Sequence, residues 1–299
     1  MSSAILCIGE LLWDALPSGL FLGGAPFNVS CHLNELNEEV SFASRVGKDR
    51  LGYEALRRIS SRDIKTNLIQ EDNQHESGFV EVQLDAPGDP EYHIIEPVAW
   101  DFISPNTDLK EEAANSWGIV FGSLAQRNEH SRQTIQELFN TSALKIFDIN
   151  LREPYCYYEI VLESVRAADV LKFNIEELSY LIDWFELKKE PYQAIEELSI
   201  KYECETVCMT RGANGAVLYH KGQWSEHPGY RIEMADAVGA GDAFLAALVS
   251  GLHQNLNSDE LLVEANATGA YVASQVGANP HYTKRDIHEI RNHAIENEF

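Results

Sequence analysis

The sequence predicts an α/β fold with a mainly parallel central sheet that is covered by helices on both faces. Short β-rich runs alternate with segments of helical spacing along most of the 299 residues. Glycine and polar residues follow the ends of these strand-like runs. Such alternation is typical of parallel sheets, in which ligands bind at the carboxyl ends of the strands. We therefore expect a single domain over residues 1–299, with its ligand site at that edge of the sheet.

The predicted elements alternate regularly. Buried strands are expected at AILCIG (4–9), EVSFASRVG (39–47), WGIVFGS (117–123), ALKIFDIN (143–150), VLKFN (170–174) and TVCMTRG (206–212). Apolar spacing of three and four residues predicts helices at APFNVSCHLNEL (25–36), GYEALRRIS (52–60), SRQTIQELFN (131–140), YYEIVLESVRAA (157–168), EELSYLIDWF (176–185) and 192–202. Because strand and helix follow one another in this way, neighbouring strands should be parallel.

Two extended segments interrupt the alternation. LLWDALPSGLFLGG and SGFVEVQLDAPGDPEYHIIEPVAW read with a period of two, and DAPGDP predicts a turn within the second. We expect them, at about residues 11–24 and 77–102, to form a small β lid inserted into the α/β core.

Composition excludes several classes of function. The formal net charge is −24 and the pI is about 4.7, which argues against a nucleic-acid partner because phosphate backbones are normally met by a basic face. No window of about 20 apolar residues predicts a membrane span, and no basic leader is seen, so we expect a cytoplasmic protein. The five cysteines lack the spacing of a zinc site, and we expect them to be reduced and mostly buried.

The stretch DAVGAGDAFLAALV, residues 236–249, carries the clearest chemistry. A glycine-rich turn that leads into a helix aims unpaired backbone amides at one point, where the helix dipole also favours an anion. The amides of Gly239, Ala240, Gly241 and Asp242 can therefore hold a phosphoryl group, and the Asp242 carboxylate can accept the proton of an attacking alcohol. An equally weighted alternative is that Asp242 is the N-cap of a tight turn.

The whole chain resembles the ribokinase-like, or PfkB, family of carbohydrate kinases. GGAPFNVSCHLNEL with SRVGKDRLGYEAL resembles the N-terminal signature of the family, and DAVGAGDAFLAALVSGL resembles the C-terminal one. Three further stretches, EYHIIEPVAWDFI, FGSLAQR and FDINLREP, are similar to the fructokinase branch. The resemblance implies a three-layer α/β/α sandwich with a β lid, and ATP-dependent phosphorylation of a sugar hydroxymethyl group with magnesium.

The resemblance also assigns the acceptor side of the site. Asp242 matches the catalytic base and Gly239 to Gly241 the anion hole, whereas the sugar contacts match Asp14, Gly23, Gly24 and Asn28. A carboxylate and an amide orient hydroxyl groups by paired hydrogen bonds, and glycine lets the backbone approach the sugar ring. The alternatives are a turn residue for Asp14 and a helix cap for Asn28.

Asn174 and Glu177 match the NxxE motif of the family, which acts on magnesium and its waters. Binding through water suits a cation that loses its hydration shell reluctantly. From the residues alone, NIEEL is an ordinary acidic first helical turn, and that interpretation stays open. Arg152 could contact the transferring phosphate or an anionic substrate group, or form a salt bridge at the strand end.

The same resemblance assigns residues to the nucleotide site. Thr210, Gly212 and Gly215 match the nucleotide-binding loop of the family. Asn266 lies in the helix that flanks the adenine in the family, and the alternative is a polar residue in mid-helix. Asp236 with nearby carbonyl groups could bind potassium, although Ala237 stands where the family often has threonine.

Three functions remain open from the sequence. The first is a sugar kinase, with fructose as the leading acceptor, and the second is a kinase of the same fold that acts on a keto-deoxy sugar acid or a nucleoside. The third is a non-catalytic ligand-binding homologue. Trp13, Trp100 and Phe102 are candidates for the sugar pocket, although such aromatic residues more often belong to the core, which is preferred for Phe102 and expected for Phe121. The lids of this family often pair between subunits, so the resemblance also suggests a homodimer.

Overall fold

The computed structural model describes residues 4–16, 19–83 and 91–296, and the predicted DAPGDP turn lies outside these residues. Nine strands form the main sheet: β1 (Ile5–Ile8), β4 (Val40–Gly47), β5 (Ile69–Asp72), β8 (Gly118–Gly122), β9 (Leu144–Asp148), β10 (Val170–Asn174), β11 (Thr206–Thr210), β12 (Ala216–His220) and β13 (Gln223–His227). Four strands form a small sheet: β2 (Leu12–Leu16), β3 (Gly19–Gly23), β6 (Gly78–Gln83) and β7 (Glu91–Ile94).

The strand order of the main sheet is β13-β12-β11-β10-β9-β8-β1-β4-β5. The seven strands from β5 to β11 in this order pair in parallel, and β12 and β13 are added antiparallel at one edge. The predicted α/β fold with a mainly parallel sheet is confirmed. Because the parallel strands share one direction, their carboxyl ends meet at one edge, where ligands bind in such sheets.

Ten helices are described: α1 (Ala25–Glu35), α2 (Arg50–Ser60), α3 (Thr107–Asn115), α4 (Glu129–Glu137), α5 (Tyr158–Ala167), α6 (Ile175–Phe185), α7 (Pro191–Tyr202), α8 (Ala240–His253), α9 (Ser258–Ala273) and α10 (Lys284–Glu296). Their apolar faces cover the sheet in two large clusters of buried side chains. None of the helices in the described part of the chain is long and apolar enough to cross a membrane.

The small sheet has the order β3-β2-β6-β7, with β2 and β6 parallel and the other pairs antiparallel. The second extended segment ends earlier than predicted, since β7 stops at Ile94 and Ala99–Phe102 forms a 3₁₀ turn. The Asp101 carboxylate holds this turn, because it accepts the Val98 amide at 2.9 Å and is paired with Arg127 at 2.8 Å.

The predictions for the aromatic residues have different outcomes in the structure. Phe121 is buried in the core, as predicted. Trp13 and Trp100 are 1% and 0% exposed, so the expectation that they line a sugar pocket is wrong. Phe102 is half-buried, and its ring stacks on that of His75 with 3.8 Å between the centroids. All five cysteines are free and four of them are buried.

Candidate active site

A cavity of about 680 Å³ opens at the carboxyl ends of the parallel strands. The small sheet forms one side of it, the first turns of α1 and α8 form another, and the loops after β9, β10 and β11 complete it. The predicted site residues on its wall are Asp14, Gly24, Asn28, Arg152, Asn174, Thr210, Gly212, Gly239, Gly241 and Asp242. The fold thus brings most of the predicted residues to one place.

Asp242 is the third residue of α8, and the N-cap of that helix is Gly239. The interpretation of Asp242 as the N-cap is therefore wrong. Its Oδ2 atom accepts a hydrogen bond of 2.8 Å from Nδ2 of Asn28. Burial raises the pKa of Asp242 to about 6, although the Asn28 hydrogen bond opposes this shift. A carboxyl group with this pKa is mostly ionised at neutral pH and can take up a proton.

The loop before α8, residues 236–239, leads into the amide groups at the start of that helix, and we call it the anion loop. Gly239 has φ 79°, and a Cβ there would lie 2.6 Å from the carbonyl oxygen of Ala278, so the position requires glycine. The first turn of a helix leaves amide groups without intrahelical acceptors, and Gly241 and Asp242 belong to this turn. The Ala240 amide differs, because it donates to Ala237 at 3.3 Å.

The residues predicted to contact the sugar lie in β2, at the end of β3 and at the start of α1. Asp14 is half-buried within β2, not in a turn, and burial raises its pKa to about 6. A Cβ on Gly23 would approach Oδ2 of Asp14 to 2.7 Å. Gly24 is the N-cap of α1 at φ 115°, so Asn28, four residues later, is not the cap.

Both ends of the Asn28 side-chain amide are engaged. Its Nδ2 atom donates to Asp242, and its Oδ1 atom accepts from Nδ2 of Asn279 at 2.8 Å. Asn28 is only 6% exposed. The Asn28 side chain therefore links Asp242 to Asn279.

Two further charged groups, which the sequence predictions did not assign, lie beneath the anion loop. Lys172 and Asp148 are register partners on β10 and β9, and Nζ of Lys172 lies 3.0 and 2.9 Å from the two carboxylate oxygens. Burial alone would lower the pKa of Lys172, but Asp148 raises it. A Cβ on Gly241 would be 3.4 Å from this ammonium group. The feature of the sequence that could have indicated this pair is the lysine within the mostly apolar strand VLKFN.

Glu10 is another functional candidate that was not assigned from the sequence. It follows β1 directly, is 2% exposed, and lines the cavity. Its Oε1 atom accepts the Ala25 amide at 3.1 Å, while Oε2 has no hydrogen-bond partner within the described residues. Burial raises the pKa of Glu10 to about 7. A carboxylate directly after a buried strand, in CIGE, was the available signal.

Asn174 and Glu177 form a capping box at the start of α6. The Asn174 side chain accepts the Glu177 amide at 2.8 Å, and the Glu177 carboxylate accepts the amides of Asn174 and Leu151, each at 2.8 Å. The motif therefore has a structural role, and Glu177 itself is buried. Each carboxylate oxygen keeps a second lone pair, which fits contact with a cation through water. Among the described residues, no group of three or more His, Cys, Asp or Glu side chains could hold a metal directly.

Of the other residues predicted to bind the nucleotide, some lie on the cavity wall and others do not. Thr210 and Gly212 line the cavity, as does Arg211 between them. Gly215 is not on the cavity wall; its φ of 76° and its close contact with the backbone of β13 explain the glycine. Asn266 is also away from the wall, buried, with its side-chain amide donating to Leu262 in its own helix at 2.7 Å.

Arg152 lies on the cavity wall, whereas Asp236 does not. Arg152 is exposed on the cavity wall and donates to the carbonyl of Leu151 at 2.9 Å, and the described residues include no carboxylate at salt-bridge distance from it. The Asp236 carboxylate lies off the wall and accepts the amides of Val238 and Gly277 at 3.0 and 3.2 Å. It therefore ties the anion loop to the segment after α9.

Comparison with known proteins identifies the family. The model of the pfkB family carbohydrate kinases matches residues 19–285. The fructokinase of Escherichia coli is 28% identical over 298 residues, covering 93% of this chain and 95% of that protein. A putative sugar kinase of Pyrococcus horikoshii is 30% identical over 242 residues, covering 77% of this chain and 73% of that protein.

Solved structures show the same fold. The crystal structure of the P. horikoshii sugar kinase aligns with a TM-score of 0.79 at 27% identity, covering 97% of this chain and 100% of that one. The structure of a Xylella fastidiosa fructokinase with bound ATP aligns with a TM-score of 0.85 at 20% identity, over 98% of this chain and 99% of that one. With the family match covering most of its length, the chain belongs to the pfkB family of carbohydrate kinases.

Proposed function

We propose that this kinase transfers the γ-phosphate of ATP to a hydroxymethyl group of a sugar, with fructose as the acceptor. The observation that carries the proposal is the position of Asp242, which lies in the first turn of α8 on the wall of the same cavity as Asp14. Similarity to fructokinases supports the choice of sugar, and the P. horikoshii sugar kinase, crystallised with ATP, supports the choice of donor.

In the proposed reaction one bond forms, one bond breaks and one proton is transferred. The acceptor hydroxyl oxygen forms a bond to the γ-phosphorus, the bond from that phosphorus to its bridging oxygen breaks, and ADP leaves. The hydroxyl proton passes to the Asp242 carboxylate. Asn28 holds this carboxylate through Oδ2, so Oδ1 is the atom available to the hydroxyl group.

The negative charge of the phosphoryl group is met by groups that are already in place. The amides of Gly241 and Asp242, at the positive end of α8, point toward the position of the phosphate in this proposal. The Lys172 ammonium lies directly beneath Gly241 and is fixed there by Asp148. Groups fixed in advance need no reorganisation when charge develops.

Asp14 is proposed to bind the sugar hydroxyls from the opposite side of the cavity. It sits on β2 of the small sheet, whose movement would close the cavity over the sugar. Asn28 keeps a second N–H on Nδ2 that a sugar hydroxyl can accept. Gly23 leaves room for the Asp14 side chain, because a Cβ there would approach its Oδ2 atom to 2.7 Å. Gly24 instead lets the start of α1 pass close to the backbone of Glu10, whose carbonyl oxygen a Cβ would strike.

Magnesium and potassium belong to the same proposal. Magnesium bound with ATP would neutralise its phosphates, and Glu177 would hold its waters through the free lone pairs of the carboxylate. Potassium would lie beside Asp236; a structurally similar Vibrio cholerae fructokinase has a potassium ion in its crystal structure. Contacts between the small sheets of two subunits are proposed from Leu20 and Phe21, both 36% exposed on its outer strand β3.

A second acceptor class is favoured by Arg152. An exposed guanidinium group on the cavity wall without a carboxylate partner among the described residues suits the carboxylate of a keto-deoxy sugar acid.

The test is ATP consumption by the purified protein with magnesium and potassium. The acceptors are fructose, glucose, ribose, ketodeoxygluconate, adenosine and inosine, and Asp242→Ala is the blank. We expect turnover with fructose, a loss of about 10²- to 10⁴-fold in Asp242→Ala, and an unchanged affinity for the sugar. Asp14→Ala should instead weaken sugar binding. Full activity of Asp242→Ala would refute the proposed base, and turnover with ketodeoxygluconate alone would replace fructose as the acceptor.

A further inference from the structure

We propose that Asn279 is a positioning residue that orients the base Asp242 through the side chain of Asn28. The three side chains form a chain of hydrogen bonds from Nδ2 of Asn279 to Oδ1 of Asn28, and from Nδ2 of Asn28 to Oδ2 of Asp242, each of 2.8 Å. Nothing in the motif around Asp242 specifies Asn279, which lies 251 residues from Asn28 in sequence. The proposal rests on the proposed role of Asp242 as the base.

The chemistry of the three groups fixes the direction of the chain. An ionised carboxylate accepts hydrogen bonds only, so Asn28 must present its NH₂ group to Asp242. The Oδ1 atom of Asn28 then faces Asn279 and requires a donor, which within the described part of the chain is the NH₂ group of Asn279. Asn28 is 6% exposed, so water has little access to replace this donor.

Loss of the donor at residue 279 would remove the constraint on Asn28. A leucine at residue 279 would leave the Oδ1 atom of Asn28 buried without a donor, so the amide would turn toward other donors and withdraw its NH₂ group from Asp242. The base would lose the hydrogen bond that opposes the rise in its pKa. It would also lose the contact that directs its second oxygen toward the acceptor hydroxyl.

The backbone around Asn279 is anchored independently of its side chain. The Asn279 carbonyl accepts from Arg62 at 2.6 Å, and the Ala278 carbonyl lies 3.0 Å from Nε2 of His32. Ala278 also packs against Gly239 of the anion loop. A change of the side chain should therefore leave the path of the chain intact, which separates positioning from folding.

The experiment compares Asn279→Leu, which removes the donor at similar volume, with Asn279→Gln, which keeps an NH₂ group. Asn115→Leu, at an exposed helix end far from the cavity, is the control. The first readout is the titration of the Asp242 carboxyl by ¹³C NMR, with the signal assigned by its loss in Asp242→Asn. The second is the pH dependence of kcat, together with KM for the sugar and the melting temperature.

We expect Asn279→Leu to raise the titration midpoint of Asp242 by at least about half a pH unit. The acidic limb of kcat should move upward with it, and kcat at pH 6 should fall about tenfold, by a larger factor than KM for the sugar rises through the contact of Asn28 with the sugar. Asn279→Gln should recover part of both effects. The other charged groups that act on Asp242 are Glu10, Asp148, Arg152 and Lys172, and none of them is altered in these variants.

Two results would overturn the proposal. One is an unchanged midpoint and kcat in a folded Asn279→Leu variant. The other is a fall in kcat that follows the melting temperature, without a shift of the pH profile. Failure of the proposed function is distinguishable, because full turnover in Asp242→Ala would refute the base while the NMR titration still reports the effect of Asn279 on Asp242.

Discussion

Replacing Glu10 with Gln should change the pH dependence of stability in a defined direction. Burial raises the pKa of Glu10 from 4.5 to about 7, so the folded protein holds this proton more tightly than the unfolded chain. The stability contribution of the protonated group is present in full below pH 4.5 and is lost as the pH rises through 7. For one such group, the loss between pH 5 and pH 8 is about 2.5 kcal/mol.

The Gln side chain keeps an oxygen for the Ala25 amide but cannot ionise. Relative to the wild type, Glu10→Gln should therefore become more stable by about 2.5 kcal/mol on going from pH 5 to pH 8. Urea unfolding of both proteins at pH 5 and pH 8 measures this difference in the free energy of unfolding. Any destabilisation by the Gln amide that does not depend on pH cancels when the two pH values are compared. Glu163→Gln, with a side chain 54% exposed, controls for the loss of one acidic group. A Glu10→Gln difference that is equal at both pH values would refute the reasoning.

The other predictions concern the glycine pair and the buried ion pair. Gly23→Ala places a Cβ 2.7 Å from the rotatable end of Asp14, so we expect KM for the sugar to rise about tenfold with little change in melting temperature; an unchanged KM would contradict the pocket. Gly24→Ala, at φ 115° and against the fixed backbone of residue 10, should instead lower the unfolding free energy by about 1–3 kcal/mol or more, measured in urea. Asp148→Ala leaves the Lys172 ammonium buried without its partner and should lower the free energy of unfolding by about 3–5 kcal/mol in the same assay. The double variant Asp148→Leu with Lys172→Met removes both charges and should recover most of this stability. Equal losses of stability in the two proteins would argue against a charge effect.

The fold was predictable from the sequence where hydrophobic periodicity is strong. The strands β1, β4, β8, β9, β10 and β11 all lie within predicted runs. The short strand β5 and the helices α3 and α10 were not predicted, because their segments carry few apolar residues in a regular spacing. The 3₁₀ turn Ala99–Phe102 was also missed, since one of the contacts of Asp101 that hold it is the tertiary pair with Arg127.

The site was predictable only as far as local motifs extend. The sequence around Asp242 places a glycine-rich turn, a helix start and a carboxylate within a few residues, which predicts a phosphate site with an N-cap as the equal alternative. The contact between Asn28 and Asn279 joins segments 251 residues apart, and no local pattern reports such a pair. The same holds for the Lys172–Asp148 pair, which depends on the register of two neighbouring strands.

The balance of charge on the cavity wall bears on how the nucleotide binds. Glu10, Asp14 and Asp242 face the cavity on the acceptor side, and burial raises the pKa of each. The Lys172 charge is already engaged by Asp148, and Arg152 is the other cation close to the acceptor side. The described residues of the wall include five carboxylates and three cations, so they carry no excess of positive charge with which to attract a triphosphate. In the proposed reaction the phosphates must arrive with their own cations, and the protein adds directed amides and one fixed ammonium at the point of transfer.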